Sequence, residues 1–113
     1  MHMLDEVTKR VQDAIFAFSI GDDDQAEKIL KQVVAEEKSS IEAYRALSEV
    51  SLSLGKLDQA EESCRNALLI DPDDLTAVVS LARILVKKGD KEGAESASAK
   101  ARLLGWKEEL AEE

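Results

Sequence analysis

Residues 39–74 read SSIEAYRALSEVSLSLGKLDQAEESCRNALLIDPDD, and the stretch divides into two helices around a tight turn. Ser39, Ser40, Ile41 and Glu42 offer a capping box, in which Ser39 and Glu42 each satisfy a free backbone N–H of the first turn. Ala43, Tyr44, Ala46, Leu47, Val50 and Leu54 then recur at the spacing of one helical face. Gly55 is placed to stop that helix, because glycine enters the left-handed region without a Cβ clash. Asp58 is placed to cap a second helix, whose apolar face carries Ala60, Cys64, Ala67, Leu68 and Ile70. Asp71-Pro72 ends it, since proline restricts the residue before it and has no N–H for the ladder.

The same signals return at a spacing of 34 residues on either side. Gly21, Gly55 and Gly89 form one column; Ala26, Ala60 and Ala94 a second; Glu27, Glu61 and Glu95 a third. Apolar residues align in two more, Phe16 with Val50 and Ile84, and Phe18 with Leu52 and Val86. Columns this regular define three repeats, at about 7–40, 41–74 and 75–108. Helix breaks are expected near Gly21, Lys38–Ser40, Gly55, Asp71–Asp74, Gly89 and Gly105.

In the middle repeat, Tyr44, Leu47, Gly55, Ala60, Ala67 and Pro72 resemble the tetratricopeptide pattern of an aromatic, Leu, turn Gly, two small Ala and a closing Pro. The resemblance implies an all-α fold: a right-handed solenoid of three helix-turn-helix repeats with a short C-terminal capping helix. The chain then reads as one domain over 1–113, with 1–3 a cloning remnant and 106–112 the capping helix. The outer repeats depart from the pattern. Arg10 and Asp13 stand where the family has an aromatic and Leu, and Lys38 replaces the closing Pro. Either the first helix presents a polar N-terminal cap, or it is rotated by one residue, which moves Val11 and Ile15 into the core. The last helix of the third repeat, Glu92 to Leu104, is rich in Ala and Ser and needs cover. Trp106 and Leu110 share a helical face and are expected to lie back on it; the alternative makes Trp106 an exposed anchor for a partner.

Bulk properties narrow the function. At 113 residues, 44% hydrophobic and 35% charged, the chain suits a single helix-rich domain with its own core. The net charge of −9 disfavours nucleic acid, which demands clustered Lys and Arg. No apolar run approaches the roughly 20 residues that cross a bilayer, and Met1 to Arg10 lacks the pattern of a signal peptide. A cytoplasmic setting is therefore expected, in keeping with the single Cys64, which has no internal partner.

Chemistry is sparse. His2, the one histidine, falls in the cloning remnant, and Cys64 sits at a core position where a thiol is inert. No CxxC, HExxH, phosphate loop or calcium loop occurs. Asp22-Asp23-Asp24 and Asp71-Pro72-Asp73-Asp74 fall in turns, where aspartate caps helices. No enzyme, cofactor or metal is expected.

What remains is surface. In the resembled family, the first helices of successive repeats line a concave groove that accepts a peptide or partner helix. Carried onto this chain, the groove consists of Val11, Ile15, Phe18, Arg45, Glu49, Leu52, Val79, Arg83, Val86 and Lys87, flanked by Thr8, Glu42 and Thr76. Phe18, Leu52 and Val86 form an apolar column that reads equally as groove stripe or as packing between helices. Arg45, Arg83 and Lys87 make the far end basic, so the expected partner is a protein or peptide, apolar at one end and acidic at the other. The positions of the family's carboxylate clamp hold Val11, Ile15, Ala46, Thr76 and Ser80, none of which can bind a carboxylate by charge. Self-assembly through a solenoid end or the apolar column is the second reading.

Overall fold

Six helices carry the described residues: α1 (Met3–Ser19), α2 (Asp23–Glu36), α3 (Ile41–Ser53), α4 (Leu57–Ile70), α5 (Leu75–Lys88) and α6 (Lys91–Glu112). The computed structural model describes residues 3–112, with side chains from Glu6 onward, so Met1 and His2, two of the three residues read as a cloning remnant, lie outside the described residues. The turns inside the repeats are copies of one another. Gly21, Gly55 and Gly89 have φ of 86°, 74° and 81°. At each, the glycine amide donates to the carbonyl three residues back and the next amide to the carbonyl five back, as in Gly55 N–H to Leu52 (3.1 Å) and Lys56 N–H to Ser51 (2.9 Å). A Cβ at Gly55 would meet nothing within 4 Å, so the requirement for glycine there is conformational rather than steric.

Helix starts follow the aspartates and serines, with two differences from expectation. The Ser40 hydroxyl, not Ser39, accepts from the Ala43 amide (3.2 Å), because α3 begins one residue later than a Ser39 cap needs; Ser39 donates instead to Glu37 (2.5 Å). Asp22, Asp74 and Asp90 cap α2, α5 and α6. In α4 the cap position is Lys56, which gives no side-chain cap, and Asp58 lies in the first turn bonded to Lys88. Lys56 reaches Glu27 of the preceding repeat instead, at 2.7 and 3.0 Å.

Each repeat pairs its two helices, and α2 packs on α3 as α4 does on α5. The first helices touch one another, α1 with α3 and α3 with α5, whereas α2, α4 and α6 stay apart. The stack therefore curves, with α1, α3 and α5 on its inner face. Burial follows two seats of the same design. Phe18, Ala26, Leu30 and Val34 receive Ala43, Leu47, Val50 and Leu54. Leu52, Ala60, Cys64 and Leu68 receive Ala77, Leu81 and Ile84. The Cys64 thiol donates to the Ala77 carbonyl (2.9 Å), and burial pushes its pKa up.

Three expectations are corrected. Val11 is 1% exposed: α1 turns Val7, Val11, Ala14 and Ala17 inward, so Val11 belongs to the core and not to the groove. Ile15, on the other side of that phase, stays exposed. The break at Gly105 is absent, and no separate capping helix forms over 106–112. The 34-residue register puts Trp106 where repeat two has Pro72, so nothing interrupts the ladder; an interior glycine costs only about 1 kcal/mol. Consequently Trp106 (64% exposed) and Leu110 (69%) do not fold back over the third repeat.

The seats are edged by ion pairs. Lys56 and Gln59 hold the Glu27 carboxyl below its ordinary pKa, and Lys88 and Arg65 do the same for Glu61. Depressed carboxylates stabilise the fold above the unfolded pKa and lose that contribution as pH falls from there through the lower folded pKa. We expect the melting temperature to drop as pH falls below about 4.5, and the drop to shrink in a Lys56→Met/Lys88→Met variant. Parallel pH profiles for both proteins would contradict this. Gly55→Ala should destabilise by about 1–2 kcal/mol, since alanine must hold a positive φ; urea unfolding measures it, and an unchanged midpoint would show that the turn rearranges freely.

Candidate interaction surface

On the inner face, α1 and α3 leave a cleft of about 280 Å³ between repeats one and two. Ile15 and Phe18 form one wall, Ala46 and Val50 the other, Leu30 the floor, and Glu42, Arg45, Glu49 and Thr76 the far rim. Helical spacing produces this directly: Ile15 and Phe18 are three apart on α1, and Glu42, Ala46 and Glu49 recur along one stripe of α3. Phe18 does two things, lining the cleft while packing on the core below.

Of the groove residues expected from sequence, the cleft gathers Ile15, Phe18, Arg45 and Glu49. Leu52 is half-buried between repeats two and three, and Val86, its counterpart, lies at the C-terminal end of the stack. The Phe18, Leu52, Val86 column is thus the seat column: Phe18 and Leu52 pack against the following repeat, and Val86 is exposed because no helix packs on it among the described residues. Val79 and Lys87 stay exposed on α5, outside the cleft. Leu30 and Val50 were missed as lining residues: Val50 was read only as part of the apolar face of α3, and Leu30 was not singled out.

The rim is electrostatically closed. Arg45 donates to Asp74 (2.7 Å), the aspartate that caps α5. Glu49 accepts from Ser80 (2.8 Å) and from both terminal nitrogens of Arg83 (3.1 and 3.4 Å). These bonds tie α3 to α5 and its capping aspartate along the inner face. They correct the expected basic end, since Arg45 and Arg83 are already paired with the chain's own carboxylates. Among the described residues, Lys87 pairs with none.

No three metal-ligating side chains converge among the described residues, and no helix of them is long and apolar enough to cross a membrane. The inner cleft is thus apolar, about the size of one or two side chains, and open along helices that can flank an extended chain.

Residues 51–104 match the family profile described as tetratricopeptide repeat. No curated protein matches the sequence. Among solved structures, a type III secretion complex from Aeromonas hydrophila is similar over 96% of this chain and 73% of that one, with 26% identity and a TM-score of 0.86. PcrH in complex with the chaperone binding region of PopD is similar over 91% of this chain and 77% of that one, with 24% identity and a TM-score of 0.85. The second tetratricopeptide repeat unit of Spaghetti, bound to the HSP90 peptide SRMEEVD, is similar over 87% and 91%, with 17% identity and a TM-score of 0.83. At such identities the likeness to the last two establishes the helical-repeat fold alone.

Proposed function

This chain belongs to the tetratricopeptide repeat family, and on that premise we propose that it is a non-catalytic module that holds a segment of a partner protein against its inner face. The observation that carries the reading is the apolar cleft between Ile15, Phe18, Ala46 and Val50, open on the side where α1 and α3 run together. Two relatives by fold, PcrH and the Spaghetti unit, have peptides bound, which supports a peptide occupant here. An unpaired, buried Cys64 suits a reducing, cytoplasmic setting.

The occupant's chemistry follows from the cleft. An apolar side chain anchors beside Ile15 and Phe18, and burying it is worth about 1.5–3 kcal/mol. An acidic group is a secondary feature: it would have to displace Glu49 from Arg83 or meet Lys87. Displacement is cheap, because exposed pairs such as Glu49–Arg83 contribute only about 0–1 kcal/mol. Self-assembly is the second reading, favoured by the exposed apolar residues at the C-terminal end.

Peptides selected from a displayed random library should share an apolar anchor, and Ile15→Asp should weaken them at least about tenfold in calorimetry with the helical spectrum unchanged. Arg83→Glu should weaken acidic members most at low salt, where screening is least. Retention of affinity by Ile15→Asp would move the site off the inner face. Because Ile15, Ala46 and Thr76 occupy the clamp positions and Arg45 is held by Asp74, peptides ending in an acidic chaperone signature should show no preference. Micromolar binding abolished by amidating the peptide's C-terminal carboxylate would overturn that expectation.

A further inference from the structure

The third repeat carries a seat that no helix fills among the described residues. Val86, Lys91, Ala94, Glu95, Ser98 and Arg102 line a groove of about 360 Å³ between α5 and α6. In the repeat register they correspond to Leu52, Leu57, Ala60, Glu61, Cys64 and Leu68; Leu52, Ala60, Cys64 and Leu68 pack in the cluster that seats α5, and Glu61 bonds Lys88 of α5. The seat is therefore the mould of a helix, and the two filled copies specify which one. α3 enters with Ala43, Leu47, Val50 and Leu54, and α5 with Ala77, Leu81 and Ile84: a small residue, then Leu four on, an aliphatic seven on, and in α3 a further Leu eleven on.

Ala26, Leu30 and Val33 of α2 share this spacing but are fully buried. One exposed helix face comes near the signature: Ala99, Leu103, Trp106 and Leu110 of α6 have the same spacing, with Trp106 at the aliphatic position, and the three large members are exposed (57%, 64% and 69%). They cannot enter their own seat, since α6 is one of its walls. α1 does not qualify, because Lys9 and Asp13 stand at its small and Leu positions, so ordinary head-to-tail stacking would bury two charges. We propose that the tail of α6 from one copy occupies the open C-terminal seat of a second copy, in the place a fourth repeat would take. This contact is independent of the inner-face reading.

Charge agrees with the register. In the filled first seat, Ser53, ten residues beyond Ala43, bonds Asp23 (2.7 Å). Translated to the open seat, Glu109 of the incoming tail meets Lys91, which replaces Asp23. Glu112 comes toward Glu95 beside it, a like-charge approach at the solvent edge that Lys91 offsets. Tail and seat are different patches, so the contact is heterologous and does not by itself stop at two copies.

The test is sedimentation across a concentration range. The mass of the intact chain should rise above the monomer with concentration. Trp106→Glu, which spoils the tail, and Val86→Glu, which spoils the seat, each lie on exposed positions and should weaken association at least about tenfold without loss of helix. Mixed together, the two variants should form a one-to-one complex, because one retains a seat and the other a tail. Phe16→Glu at the opposite end should change nothing. A chain that stays monomeric at its highest soluble concentration would overturn the proposal. So would association that survives both variants, a mixture that fails to pair, or association lost in Phe16→Glu alone.

Discussion

The structure depends on one act repeated: a helix with a small residue in its first turn lowered into a groove floored by other small residues. Ala26 and Ala60 are fully buried at matching positions, and so are Ala43 and Ala77 opposite them. Where side chains are this short, backbones approach closely and the larger Leu30, Cys64, Leu47 and Leu81 interlock around the contact. Everything else serves that approach. The left-handed glycines reverse the chain in few residues, the aspartate caps fix where each helix begins, and the Lys56–Glu27 and Lys88–Glu61 pairs close the seam at its edge. A methyl-sized error at Ala60 would therefore propagate further than the loss of any surface ion pair.

What the sequence disclosed, and what it withheld, follows from the same act. A column is legible when all its members feel the same surroundings. Gly21, Gly55 and Gly89 do, and the helix boundaries around them were readable to within a residue or two. End effects are not periodic. Phe16 shares a column with Val50 and Ile84, yet it is 65% exposed where they are 2% and 0%, because no helix packs on that side of α1 among the described residues. Val86 parts from Leu52 for the converse reason. The phase of α1 was ambiguous because Arg10 and Asp13 erased the pattern that fixes it, and Val7, Val11 and Ala14 could be placed only once α2 and α3 were in position. The run of α6 through Gly105 was hidden by a habit of reading: glycine ends a helix when the chain must turn, and here nothing makes it turn.

The candidate site was half legible. Apolar residues on the inner face, Ile15 and Phe18, followed from the resembled family's groove positions carried onto this chain, but the pairing of charges did not. Arg45 and Asp74 are 29 residues apart, and Glu49 and Arg83 are 34 apart. That separation is close to the repeat length, so an opposite charge one repeat away is a neighbour in space. A rule of that kind, applied to the sequence, would have turned two free cations into two cross-links and left Lys87 alone.

The lone thiol has a use that does not depend on any partner. Cys64 lies under α5 with its Sγ on the Ala77 carbonyl, in the joint between the second and third repeats, and its thiolate form is disfavoured by burial. It can meet a reagent only when that joint opens. In a solenoid, whose units touch only their neighbours, the last unit can lift without unfolding the rest. The labelling rate of this one atom is thus a clock for the fraying of the third repeat. It runs independently of the first joint, where Leu30 takes the place of the sulfur and nothing can be labelled.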